Sequence, residues 1–219
     1  MRLRRKPWID TAILDYADFV TPLGGDWKAF AGAWTEAFGR TASLHVEIGV
    51  GKGDFLTELA ERNPDVNYVG LEAQQGVLYF AARKAAAREL KNVRLLVFDA
   101  VHLTELFAPA EVDRIYLNFS DPWPKARHAK RRLTSELFLA RYAAVLKADG
   151  EIHFKTDNTG LFDYSLETMA REGWQLSRVT HDLHALGEED NIMTEYERKF
   201  SARGAKIGRV VARRPSEQG

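Results

Sequence analysis

The chain has 219 residues, 31 Lys plus Arg against 31 Asp plus Glu, and no cysteine. Its length suits one domain with a sizeable core, its balanced charge excludes a polycation and confines any nucleic-acid surface to a local patch, and the missing cysteines exclude disulfides, thiolate metal sites and a cysteine nucleophile. A basic start runs into Pro7, Trp8 and Asp10 where a signal peptide would carry a long apolar stretch, and no segment has the unbroken apolar length of a membrane span, so a soluble cytoplasmic protein without a membrane partner is expected.

Residues 1–40 fit no strand and helix repeat and read as an N-terminal extension, basic at Arg2, Arg4, Arg5 and Lys6 and a candidate for contact with RNA. Residues 41–219 read as the main domain. A strand is expected at 44–48, a glycine-rich turn at 49–53, and a helix at 55–60 that stops near Asn63-Pro64. A strand at 67–71, an alanine-rich helix at 76–90 and a third strand at 93–98 follow. A fourth strand at 115–119 and a fifth at 152–155 flank a helix at 135–146, and a further helix is expected at 161–172. The last part, 175–179 and 195–212, carries shorter extended runs suited to an antiparallel pair. Alternation of this kind predicts an α/β fold, a mostly parallel sheet with helices on both faces.

Chemistry concentrates where strands end. Glu47-Ile48-Gly49-Val50-Gly51-Lys52-Gly53 follows a strand and opens a helix, the context in which a glycine turn gains meaning. Gly49, Gly51 and Gly53 permit a sharp turn that a ligand can approach without meeting a Cβ. The spacing is G-x-G-x-G, not the dinucleotide G-x-G-x-x-G, and Glu47 would repel a diphosphate but attract an ammonium or a sulfonium. Glu72 closes the second strand, where an acid can take ribose hydroxyls, and Asp99 closes the third, where it can accept from an adenine amino group. Each acid alone is an ordinary loop carboxylate; together, at successive strand ends and with no P-loop lysine, they describe a pocket for a nucleoside bearing positive charge. S-adenosylmethionine fits that description, and a nicotinamide oxidoreductase of the same fold class does not.

The fourth strand runs into Ser120-Asp121-Pro122-Trp123-Pro124-Lys125, and the cationic residues Lys125, Arg127, Lys130, Arg131 and Arg132 follow within a few positions. A charge run is usually a solvated helix start, but an acid at a strand end beside an indole and a basic tract suits a polar planar group on a polyanion, so nucleic acid is the expected partner. A non-catalytic RNA-binding module would need the basic tract and not the acidic strand ends. His181 and His184 have helical spacing but no matching carboxylate motif, so no metal is expected.

Five stretches taken together resemble the bacterial tRNA (guanine-N7)-methyltransferase family. They are the glycine turn with Glu47; Asn118-Phe119-Ser120-Asp121-Pro122-Trp123-Pro124-Lys125; Arg127-His128 with Lys130-Arg131-Arg132-Leu133; Phe154-Lys155-Thr156-Asp157-Asn158; and Asn191-Ile192-Met193-Thr194-Glu195-Tyr196-Glu197 with Lys199-Phe200. The likeness runs in order from Arg5-Lys6-Pro7-Trp8 to about Phe200. A related amine methyltransferase acting on protein or DNA would carry paired prolines and a terminal aromatic that Asp121-Pro122-Trp123 lacks.

The resemblance implies a class I, Rossmann-like methyltransferase fold of seven strands with an antiparallel C-terminal strand. It implies S-adenosyl-L-methionine as donor, S-adenosyl-L-homocysteine as product, no metal, and guanosine 46 of the tRNA variable loop as acceptor; the sequence leaves monomer and homodimer both open. It also implies Glu47, Gly49, Gly51, Gly53, Glu72, Asp99 and Asp121 as cofactor-side residues, with Asp121 the catalytic one. Lys125, Asp157, Thr194, Glu195, Tyr196 and Glu197 look like substrate contacts, and Arg127, His128, Lys130, Arg131 and Arg132 like the RNA-facing tract. One departure is Gly208, where the family tends to carry an aromatic.

Overall fold

In the computed structural model residues 6–187 and 191–215 are described, and they build one mixed sheet. Its strands are β1 (Val20–Thr21), β2 (Leu44–Ile48), β3 (Asn67–Glu72), β4 (Val93–Val97), β5 (Val112–Asn118), β6 (Leu146–Thr156), β7 (Gln175–Thr180) and β8 (Gly208–Arg213). The helices are α1 (Trp8–Ala12), α2 (Trp34–Phe38), α3 (Asp54–Arg62), α4 (Gln75–Ala87), α5 (Leu103–Leu106), α6 (Glu136–Val145), α7 (Thr159–Arg171) and α8 (Glu195–Ser201). Strand order is β1-β4-β3-β2-β5-β6-β8-β7; every pairing is parallel except those of β8, which runs antiparallel to both β6 and β7. From β2 the chain moves outward through β3 and β4, then returns to place β5 on the other side of β2. That reversal is the crevice where open α/β sheets bind ligands.

Two apolar cores, one on each face, explain the layers. Leu44, Val46 and Ile48 of β2 face a core shared with α2, α5, α6 and α7, where Trp34, Phe107, Phe138 and Tyr142 pack. The opposite face meets α1, α3 and α4 through Ile9, Leu56, Tyr68, Leu78 and Leu95. All five residues of β2 are buried, as a strand covered on both sides requires. Full burial of a side chain such as Ile9, Ile13 or Leu56 contributes about 1.5–3 kcal/mol. Residues 6–40 share these cores: Ile9, Ile13, Val20 and Trp34 are buried, and the Trp34 indole donates to the carbonyl of Leu106 at 3.2 Å.

Two differences from the sequence expectation have physical causes. The sheet has eight strands where seven were expected, because Val20 and Thr21 pair in parallel with Leu95 and Leu96, with Leu95 N–H donating to Phe19 O at 2.9 Å. A two-residue strand leaves no alternation to read. Residues 195–201, expected within an extended region, are the helix α8: the Thr194 hydroxyl accepts the N–H of Glu197 at 2.9 Å, and that N-cap starts a helix. At Gly208 a Cβ would meet the Phe162 ring at 2.7 Å. Phe162, from α7, occupies that space and packs against Phe154 and His181. Among the described residues no helix is long and apolar enough to cross a membrane.

Candidate active site

The glycine turn sets the floor of the site. Gly49 has φ +80°, and its N–H and that of Val50 both donate to Leu71 O, at 2.8 and 3.0 Å, folding the chain back across the end of β3. Nothing lies within 4 Å of where a Cβ would stand on Gly49. Gly53 has the opposite need: at φ +81° its missing Cβ would lie 2.7 Å from that of Ala81, so α4 packs directly on the turn.

Glu47 follows from strand alternation. With Leu44, Val46 and Ile48 on one face, His45 and Glu47 point to the other, where the carboxylate is 2 % exposed. Its Oε1 accepts from Asn118 Nδ2 at 2.9 Å across the β2–β5 crevice, and its buried Oε2 has no hydrogen-bond partner. Burial pushes its pKa up to about 8, with Asn118 and the Lys155 ammonium opposing the rise. A buried, half-satisfied carboxylate calls for a donor, and a cationic ammonium supplies both the charge and the missing protons.

The remaining acids sit at neighbouring strand ends. Glu72 accepts from Gln74 N–H at 3.0 Å and Gly51 N–H at 3.2 Å, which ties it to the turn; burial raises its pKa and these main-chain donors counter it. Asp99 is exposed and caps a short turn by accepting from Val101 N–H at 3.1 Å. Together with Asp121, Phe98, Phe119 and Trp123 these acids line a cleft of about 560 Å³. A smaller cleft of about 190 Å³ lies between the glycine turn and α8, lined by Glu47 and by Thr194, Glu195 and Tyr196. The two share Gly49, Asn118 and Phe119, so they meet over the crevice. Apolar walls with three carboxylates at one end, an orphaned buried oxygen and an open glycine turn fit the adenosine and amino-acid halves of S-adenosylmethionine.

The loop after β5 is under backbone strain. Phe119 at φ +52° and Trp123 at φ +41° are non-glycine residues in the left-handed region, each costing on the order of 1 kcal/mol. Specific bonds hold them: Phe119 N–H donates to Lys155 O at 2.9 Å, and the Arg132 guanidinium donates to Pro122 O and Trp123 O, both at 3.1 Å, while lying over the Tyr164 ring at 4.2 Å. Asp121, between the strained residues, is exposed and makes no hydrogen bond or ion pair among the described residues. The Trp123 ring meets His128 edge-on at 5.8 Å and carries the Arg131 guanidinium over its face at 4.9 Å.

The basic tract divides. A 3₁₀ turn over Ala126–Arg131 leaves Lys125, Arg127, Lys130 and Arg131 exposed, His128 leans on Trp123, and Arg132 points inward to the loop carbonyls. Lys130 and Arg131 also line the larger cleft, so cations stand at its mouth. Lys6 lies over the Phe80 ring, and the neighbouring basic positions Arg2, Arg4 and Arg5 lie outside the described residues.

On the far wall the Tyr196 hydroxyl donates to Asp157 at 3.2 Å, its ring meets Phe119 at 5.1 Å, and Glu195 pairs with Lys52 of the glycine turn at 3.0 Å. Glu197 is fully buried, its carboxylate 2.7 Å from Lys155 Nζ and not open to the cleft. Sequence reading singled out no role for Asn118, Lys155 or Lys52. The signal for two of them is present: on β2, β5 and β6 one face is apolar, while the other carries His45 and Glu47, Tyr116 and Asn118, His153 and Lys155, polar residues in strands whose position demands burial. Among the described residues no group of three or more His, Asp or Glu side chains converges as a metal site.

The family described as putative methyltransferase matches residues 41–210. The chain is 51% identical to a tRNA (guanine-N(7)-)-methyltransferase of Geobacillus thermodenitrificans over the whole of both chains. It is 49% identical to the protein of that name from Bacillus subtilis, covering 96% of this chain and 97% of the other. Among solved structures it is similar to the 16S rRNA methyltransferase KamB, with a TM-score of 0.62 at 18% identity over 85% of this chain and 94% of the other. An antibiotic-related methyltransferase gives 0.61 at 18% identity, over 83% and 92%. The distant structures establish the class I methyltransferase fold; the full-length identities go further, and the chain belongs to the tRNA (guanine-N(7)-)-methyltransferase family.

Proposed function

We propose that the protein moves the methyl group of S-adenosyl-L-methionine to N7 of guanosine 46 in the variable loop of tRNA, releasing S-adenosyl-L-homocysteine, and that it works in the cytoplasm where tRNA is modified. The observation that carries this reading is Glu47, a buried carboxylate with one unpaired oxygen that lines the cleft beside the glycine turn. The relatives' names support tRNA guanine N7 as the acceptor atom, and position 46 is part of the proposal.

When bound, the donor supplies a methyl carbon made electrophilic by a sulfonium. Glu47 holds the donor's ammonium, Glu72 its ribose hydroxyls and Asp99 its adenine amino group. Guanine N7 has a lone pair and no proton, so no general base has to act first. Transfer to that lone pair would leave the carbon–sulfur electron pair on a neutral thioether and positive charge on the purine. The chain therefore has two tasks, alignment and tolerance of a cationic base. Alignment alone supplies about 7 kcal/mol or more of a barrier of this kind. Asp121 and Asp157, accepting from the N1 and N2 hydrogens of guanine, hold the base and favour its charged form. Lys125, Arg127, Lys130 and Arg131 grip phosphates, which makes tRNA binding steeply salt-dependent.

The test is to incubate the protein with labelled S-adenosylmethionine and unmodified tRNA, then cleave with borohydride and aniline at 7-methylguanosine. A single cut at guanosine 46 is expected. Label at another base, or no label on tRNA at all, overturns the reading.

A further inference from the structure

Lys155 lies deep in β6, in register with Asn118 of β5. Its ammonium is enclosed: 2.7 Å from Glu197 Oε2, 2.9 Å from Ile192 O and 3.2 Å from Asn191 Oδ1, with the Phe55 ring 5.2 Å away. Three acceptors take up the three protons an ammonium offers. Glu197 is as fully engaged: Oε1 accepts from Asn191 Nδ2 at 2.8 Å and lies 3.3 Å from His184 Nε2. The pair lines neither of the clefts that meet over the glycine turn.

Glu197 is the third residue of α8, behind the N-cap Thr194. A glutamate there ordinarily turns back to the N-cap N–H. Here it turns inward to Lys155, so the first turn of α8 has one seat on the sheet. Removing two charges from water costs much of what their attraction returns, which makes a buried pair a poor source of stability and a better source of unique geometry. The geometry it sets is that of the far wall. With Glu197 docked, the Tyr196 hydroxyl reaches Asp157 two residues beyond Lys155, the Tyr196 ring meets Phe119, and Glu195 meets Lys52.

We infer that Lys155 is a positioning residue for the acceptor base: by gathering Glu197, Asn191 and the main chain of Ile192 onto β6, it fixes the wall formed by Asp157 and Thr194 to Tyr196 without touching tRNA or donor. The inference rests on reading that wall as the guanosine side of the site, and it turns Glu197 from a substrate contact into the anion that seats the helix.

Three forms of the full chain test it. Lys155→Met removes the charge at similar length and leaves Glu197 buried without a cation. Lys155→Met with Glu197→Gln removes both charges. The wild type is the reference. The single variant is expected to lower kcat/KM for tRNA by roughly 10- to 100-fold, the cost of a small misplacement, with donor affinity changed far less, through the lost Lys155 charge that opposes the rise of the Glu47 pKa. The double variant is expected to recover most of the lost melting temperature and none of the lost kcat/KM. Recovery of both together overturns the inference, because the pair is then only a stability element. So does loss of donor affinity in step with tRNA turnover. Hydrogen exchange read over residues 194–201 in the double variant separates this inference from the acceptor assignment. If the wild type binds donor but methylates no tRNA, faster exchange there still supports the positioning role, and unchanged exchange sinks it.

Discussion

The two halves of the site are built differently. The donor half rests on strand ends and main-chain donors: Glu72 takes two N–H groups, the glycine turn folds onto Leu71 O, and the carboxylates stand where alternation and strand length put them. The acceptor half rests on loops and a short helix, held by side-chain links: Arg132 on the carbonyls of Pro122 and Trp123, Lys155 on Glu197, Tyr196 on Asp157. A sheet edge gives a fixed berth for a small molecule that is always the same. A wall hung on side chains can be set for one base in a large RNA and tuned by a few residues. The contrast makes a general demand: changes in the donor half should act on donor affinity, and changes in the acceptor half on turnover or on tRNA.

The largest effect is expected at Asp121, which stands free between two strained residues. Asp121→Asn keeps its size and removes the charge that, on the proposed function, favours a cationic purine. The expected loss in kcat is roughly 10²- to 10³-fold, as for the removal of one group aimed at developing charge, with donor and tRNA still bound. Near-normal single-turnover rates in this variant would sink the role.

Glu47→Gln attacks the donor half and should weaken donor binding by roughly 100-fold, the scale of truncating one partner of a buried charge pair. It also carries a pH signature. The folded pKa, raised to about 8 from an ordinary 4.5, means that the donor-free protein keeps a proton that the unfolded chain has released. Stability without donor is therefore full below about pH 4.5 and falls as pH rises to about 8, with a slope of about 1.4 kcal/mol per pH unit from this group. Donor affinity should move the opposite way, climbing towards about pH 8 as the proton leaves for as long as the donor's own ammonium keeps its charge. Glu47→Gln should flatten both trends; melting curves and donor titrations across that pH range read them.

Adjacent arginines divide the acceptor half further. Arg131 is exposed over the Trp123 ring and faces the cleft mouth, whereas Arg132 is spent on the loop. Arg131→Ala should raise KM for tRNA several-fold and lower the salt dependence of binding by about one phosphate contact. Arg132→Met leaves two carbonyls without donors and lets Trp123 relax from φ +41°, so kcat should fall about tenfold while the salt dependence stays put. Equal effects on KM from both variants would erase the distinction.

How much of this could be read in the chain follows from the same division. The placement of Glu47, Glu72 and Asp99 at or just past their strand ends was legible because period-two alternation and a glycine turn are local signals. Arg132 was not separable from Arg131, since a charge run reveals composition and not direction. Lys155 and Glu197 lie 42 residues apart, and Lys52 and Glu195 lie 143 apart, distances over which no local pattern carries a contact. Val20 and Thr21 were missed because two residues make no period, and α8 because its N-cap was the only cue against an otherwise mixed stretch.

The smallest effect is expected where the halves touch at the surface. Lys52 and Glu195 pair at 3.0 Å with side chains 52% and 58% exposed, so salt screens them and water competes for both. Lys52→Ala should change stability by less than about 1 kcal/mol and leave the donor-binding pH profile intact. The deeper Lys155–Glu197 pair, 8% and 0% exposed, gains no such help from solvent when one partner is removed. If melting shows Lys52→Ala to be as damaging as Lys155→Met, α8 is held to the donor half through the surface, and the two halves are one mechanical unit. If only the buried variant matters, the acceptor wall takes its position from β6, and the donor berth can fill and empty without moving it.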